Sequence, residues 1–137
     1  MPSPNVLIAF YSRTAVTEGL ALAVAEGARA EGAEVRLRRA RELVPAELMA
    51  SMPGWSEQAA AMNAKYPAPT EADAEWADAI IFGGPTRFGA VCSELKAYID
   101  GLGRDFDPDE FLRNMAGYVG LGAGVEYAVG LHRYPMS

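Results

Sequence analysis

The sequence runs to 137 residues, room for one ordinary domain and not two, so a single domain over 1–137 is expected. Half of the residues are apolar and 22% are charged, which excludes a disordered chain, and a net charge of −6 repels a phosphate backbone and argues against nucleic-acid binding. A lone cysteine, Cys92, excludes an internal disulfide or a Cys-rich metal site. The longest apolar run falls far short of the ~18 residues of a membrane span, and no leader pattern stands near Met1, so a cytoplasmic protein is expected.

Residues 5–11, Asn-Val-Leu-Ile-Ala-Phe-Tyr, form a continuous apolar run and predict a strand buried on both faces. Ser12, Arg13 and Thr14 break it with short hydroxyl side chains suited to a helix start. A helix follows from Val16 to about Glu31, with Val16, Leu20, Val24 and Ala28 recurring every fourth residue as its inward stripe. Gly32 stops it. Residues 34–38 alternate as a second strand, with Val35 and Leu37 on one face. Short helices are expected near 46–51 and 56–65, and Thr70 to Asp73 caps a further turn. Residues 79–82, Ala-Ile-Ile-Phe, predict another strand buried on both faces, ending in Gly83-Gly84-Pro85-Thr86. A helix over 91–102 points Val91, Leu95, Tyr98 or Ile99, and Leu102 inward, and an acidic loop at 105–110 leads to a weaker strand at 116–121. Strand and helix alternate, which predicts an α/β fold around a parallel sheet.

In such a sheet, ligands bind beyond the carboxyl ends of the strands, where the strand order reverses. Two strand ends are chemically distinctive. The first, Ser12-Arg13-Thr14-Ala15-Val16-Thr17, offers three hydroxyls and the free N–H groups of a helix start to a phosphate; plain helix capping is the competing reading. No P-loop spacing occurs. The second, Pro85-Thr86-Arg87-Phe88-Gly89, lets backbone pass close to a flat ligand and offers Phe88 to a ring edge; an ordinary strand-to-helix turn competes with this reading.

Together with Gly32-Ala33-Glu34-Val35 and the run Trp76-Ala77-Asp78-Ala79-Ile80-Ile81-Phe82-Gly83, these two loops resemble the WrbA family over about residues 6–103. Those proteins are flavodoxin-like NAD(P)H:quinone oxidoreductases once described as tryptophan-repressor-binding proteins. The resemblance implies a doubly wound parallel sheet of order 2-1-3-4 and FMN as cofactor, since flavodoxins hold FMN at the switch point of such a sheet. It implies that Ser12, Arg13, Thr14, Ala15, Val16 and Thr17 hold the FMN phosphate. Pro85, Thr86, Arg87, Phe88 and Gly89 are then cofactor-binding residues, with Thr86, Arg87 and Phe88 against the isoalloxazine ring. Phe106 falls near a family aromatic beside the quinone. NAD(P)H and a quinone are the implied partners, in a homo-oligomer, a dimer or a tetramer. A flavodoxin-like electron carrier and a non-catalytic shortened relative are the alternatives.

The sequence departs from the family at Ala15, which stands for Gly, and at Gly84, which stands for Thr in what reads as a mild change. If position 15 needs a positive φ, Ala15 costs on the order of 1 kcal/mol and Ala15→Gly raises FMN affinity. The last third diverges, and the family's fifth strand is missing from the pattern. Arg36, Arg38, Arg39 and Arg41 read as an exposed basic strand end, with a nucleotide 2′-phosphate as the rival interpretation. Cys92 reads as a small core or surface residue and His132 as solvated.

Overall fold

The computed structural model describes residues 2–102. Phe106, the acidic loop at 105–110, the strand expected at 116–121 and His132 lie outside the described residues. The fold is a flavodoxin-like α/β arrangement, in which a three-stranded parallel sheet of order β2-β1-β3 carries helices on both faces. A fourth neighbour to the sheet is not among the described residues.

Strand β1 (Asn5–Phe10) is central, which is why its sequence is apolar without alternation. It pairs with β2 (Glu34–Arg39) from Asn5 opposite Glu34 and with β3 (Ala79–Gly83) from Val6 opposite Ala79. Its even residues Val6, Ile8 and Phe10 face a core with Ala21, Ala25, Met62 and Tyr66, against which Val35 and Leu37 of β2 pack. Phe10 and Tyr66 meet edge to face at 5.1 Å. Its odd residues, with Tyr11, face the other side, where Ala9 and Tyr11 pack with Ala40, Cys92 and Leu95. Each of the large side chains contributes about 1.5–3 kcal/mol by leaving water, so the middle strand is the most strongly held element.

Helix α1 (Ala15–Ala30) ends as expected at Gly32, whose φ of 87° belongs to glycine. The Gly32 and Ala33 N–H groups bond back to the Arg29 and Ala28 carbonyls, completing a Schellman stop. Its inward face differs from the expected stripe. Glu18, Ala21 and Ala25 are buried, whereas Val16 is 73% and Leu20 64% exposed. Small residues are chosen here because the helix lies close on the sheet, and alanines at i and i+4 permit that approach. Leu20 and Val24 instead line an apolar groove of about 290 Å³ with Ile81 and Phe82 of β3.

The crossover from β2 to β3 carries α2 (Ala46–Ala50), α3 (Trp55–Lys65) and α4 (Glu71–Trp76). Helix α4 opens with a full capping box between Thr70 and Asp73. Strand β3 departs from the expected buried strand. Ala79, Ile81 and Phe82 are exposed, because among the described residues β3 is paired on one side only. After it the chain makes a small hairpin, β4 (Thr86–Arg87) and β5 (Ala90–Val91), before α5 (Ser93–Leu102). The hairpin takes Val91 out of the helix and leaves it exposed, so α5 starts two residues later than its periodicity suggests. Leu95 remains the inward anchor.

Candidate functional site

The two distinctive loops leave from neighbouring strand ends. Phe10, the last residue of β1, sits opposite Gly83, the last of β3, and the Tyr11 N–H donates to the Gly83 carbonyl at 2.9 Å. The sheet grows from β1 toward β2 on one side and β3 on the other, so this is the switch point of the strand order. Residues 12–17 and 84–89 therefore converge as a consequence of strand pairing alone.

Within the first loop the hydroxyls divide their labour. Ser12 is buried; its oxygen accepts from the Glu18 N–H at 3.2 Å and its proton goes to the Thr14 carbonyl. Ser12 thus fixes the loop from inside instead of displaying a hydroxyl to a ligand. Thr14 is the N-cap residue of α1, extended at φ −116° and ψ −179°, yet its side chain makes no capping bond. An N-cap Thr ordinarily spends its oxygen on the second or third N–H of the helix. Here Thr14 is exposed beside the N–H groups of the first turn, at the positive end of a 16-residue helix. Thr17 stands half-buried one turn inside. Ala15 is an ordinary first helical residue; Phe88 is the one described non-glycine residue with positive φ, which corrects the expectation of strain at position 15. The nearest acid, Glu18, is turned into the core, where its carboxylate accepts from the Tyr66 hydroxyl at 2.8 Å and from Lys65 at 3.4 Å. Burial and that carboxylate push the Tyr66 phenol up to about 12.

The second loop is a tight hairpin. Thr86 faces Val91 and Arg87 faces Ala90, leaving Phe88 and Gly89 as a two-residue turn with φ of 51° and 77°. Two positive φ values in a row make this a type I′ turn, which suits Asn-Gly and strains any bulky first residue by roughly 1 kcal/mol. Phe88 occupies that position and is 109% exposed. A strained, fully exposed aromatic side chain is retained against both conformational and solvation cost, the pattern of a contact surface. Pro85 and Arg87 are half-buried, Thr86 and Gly89 exposed.

A charged layer underlies both loops, and the sequence reading does not foresee it. Arg39 is fully buried, donates to the Ser12 carbonyl at 2.8 Å and to Asn63 at 2.6 Å, and forms an ion pair with Glu42. Burial alone would raise the Glu42 carboxyl, but the Arg39 fork outweighs it and holds Glu42 below its ordinary value. Arg41 bonds Asn63 and the Tyr66 carbonyl. Arg36 and Arg38 both pair with Asp73, and Arg36 stacks on Trp76. The four arginines that read as an exposed basic edge are thus internal ties. Arg13 lies 4.0 Å over the Trp55 ring, joining the first loop to α3. Tyr11 sits below with Arg39 and Arg87 beside its ring; burial, then Glu94 and Glu42, push its phenol up, so it stays neutral. The sequence signals for this layer are weak: Arg39 and Glu42 stand three apart across a strand end, and Trp55 sits in an insert.

Taken as a whole, the arrangement suits a ligand with a dianionic end and a flat apolar end. The family described as NADPH-dependent FMN reductase matches residues 6–132. The chain belongs to that family. Among curated relatives, proteins named NAD(P)H dehydrogenase (quinone) align over most of its length. That of Deinococcus radiodurans is 45% identical over 99 residues, 72% of this chain and 49% of the relative. Those of Archaeoglobus fulgidus and Geotalea uraniireducens are 43% and 46% identical, covering 73% and 72% of this chain and 52% and 48% of theirs. The chain spans about half the length of the curated relatives it matches. No helix among the described residues is long and apolar enough to cross a membrane.

Proposed function

We infer that this FMN reductase family chain binds FMN at the paired loops and works as an NAD(P)H:quinone oxidoreductase. The observation that carries the reading is the N-cap hydroxyl of Thr14, left uncommitted at the α1 start, beside the hairpin that exposes Phe88. The phosphate is held by the Thr14 and Thr17 hydroxyls and the N–H groups of Ala15, Val16 and Thr17, with Ser12 and Arg13 shaping the loop. The ring lies against Thr86, Arg87 and Phe88, with Pro85 and Gly89 setting the turn. Each hydrogen bond to a charged phosphate contributes about 1.5–3 kcal/mol, and the helix end adds up to about 1 kcal/mol. FMN, when bound, supplies the hydride chemistry that takes two electrons from NAD(P)H and gives them to a quinone. The protein's part is to hold the ring open on one face and to exclude water with Phe88 on the other. Phe106, outside the described residues, belongs beside the quinone on the family resemblance. That resemblance also supports assembly of copies into a dimer or tetramer, and the acidic charge and lone thiol support a cytoplasmic setting.

The test is a purified chain titrated with FMN, followed by NADH and NADPH oxidation with benzoquinone as acceptor. Saturable flavin binding with quinone-dependent oxidation is the expected result. Flavin binding without nicotinamide oxidation would make the chain an electron carrier, and no flavin binding would leave a non-catalytic relative.

A further inference from the structure

Arg87 does not reach its place by itself. Its Nη1 donates to both carboxylate oxygens of Glu94, at 3.1 and 2.9 Å, across a hairpin turn and into the first turn of α5. The Glu94 side chain is 1% exposed and the Ser93 hydroxyl donates to it at 3.2 Å, while Arg87 keeps about a third of its surface open. A carboxylate this deeply buried is stable only with a counter-ion, and its two oxygens hold the same nitrogen, Nη1, between them, which fixes that end of the guanidinium. Tyr11 closes the pair from below, its ring 5.5 Å from the Arg87 guanidinium carbon.

We propose that Glu94 is a positioning residue that orients Arg87 and cancels its charge beside the flavin ring, and so sets how strongly bound FMN prefers its reduced form. This rests on the reading that places the ring against Arg87. Reduction adds negative charge to the flavin ring system, so a cation beside it favours the reduced state, and a neutralised cation favours it less. With Glu94 in place, the pair presents almost no net charge to the ring. With Gln at that position the amide oxygen still accepts one hydrogen bond from Arg87, and the positive charge is unmasked.

The experiment measures the midpoint potential of bound FMN and the affinity for oxidised FMN in four proteins: the parent, Glu94→Gln, Arg87→Gln and the double variant. Saturable FMN binding by the parent tests the reading of the site, independently of Glu94. Given that binding, Glu94→Gln is expected to shift the ratio of reduced to oxidised affinity about tenfold toward reduced, which is ~30 mV upward for a two-electron couple. In the Arg87→Gln background the same replacement is expected to move the potential by less than a third of that, because Glu94 acts on the ring through the cation it holds in place and that cation is gone. An unchanged or lowered potential in Glu94→Gln overturns the proposal, as does an equal shift in both backgrounds. Should Glu94→Gln fail to fold, Glu94→Asp keeps the charge but draws the carboxylate back from Arg87 by one methylene. A potential unaltered in Glu94→Asp then overturns the orienting role.

Discussion

At Gly84 the sequence leaves out a side chain that the packing has no room for. A Cβ built there lies 2.6 Å from Leu95 Cδ1 and 3.0 Å from Cys92 Sγ, both fully buried. The departure from a family Thr, which reads as mild in sequence, is therefore matched to large neighbours on and just before α5. Gly84→Ala is expected to lower unfolding free energy by about 1–3 kcal/mol in urea titration, the usual cost of overpacking. Ala15 carries the opposite lesson. It begins α1 in ordinary helical geometry, so Ala15→Gly should leave FMN affinity unchanged and lower stability by no more than about 1 kcal/mol, measured by paired flavin and urea titrations. Asp73 gives the pH dependence. Burial acts to raise its carboxyl, but hydrogen bonds from Arg38 and Thr70 prevail and hold it below the ordinary value. The unfolded chain thus takes up this proton more readily, so the stabilisation is complete above about pH 4 and is lost as pH falls through the lower folded value. Asp73→Asn should flatten the loss of stability below about pH 4, in unfolding curves recorded across that range.

Among the elements, the β4–β5 hairpin is the one whose local preference and observed conformation disagree. Its type I′ turn asks for Asn at the first central position and holds Phe88 instead. Phe88→Asn is expected to stabilise the protein by roughly 1 kcal/mol while weakening FMN binding, a trade measured by thermal unfolding and flavin titration on the same sample. Gain in stability with unchanged flavin affinity would remove Phe88 from the site. The hairpin is illegible in the sequence because Gly83 to Ala90 reads as a generic strand-to-helix turn, and two-residue strands carry no periodic signal. Helix α1 is legible in its ends and not in its face. Its cap and its Gly32 stop are local chemistry, whereas the choice between the stripe of Val16, Leu20 and Val24 and that of Glu18, Ala21 and Ala25 depends on how closely the sheet approaches. A buried glutamate stabilised by Lys65 and Tyr66, 47 and 48 residues away at the end of α3, leaves no mark that periodicity can read.

For the whole molecule, the alternation of strands and helices predicts the parallel sheet, the family resemblance implies its order, and the two loops converge because β1 and β3 are neighbours. The charged layer beneath those loops is not legible in this way, because arginines on β2 look the same in sequence whether they meet solvent or Asp73, Glu42 and Asn63. What the fold supplies is a helix start whose N-cap hydroxyl makes no capping bond, set beside an exposed aromatic turn. Fluorescence titration of FMN and of riboflavin into the parent and into a Thr14→Ala, Thr17→Ala double variant decides whether that helix start holds a phosphate. FMN binding should be saturable and weaker in the double variant by about 3 kcal/mol or more, upward of roughly 150-fold, with riboflavin bound alike by both proteins. Equal FMN affinity in the two proteins, or no FMN binding by the parent, would contradict the site.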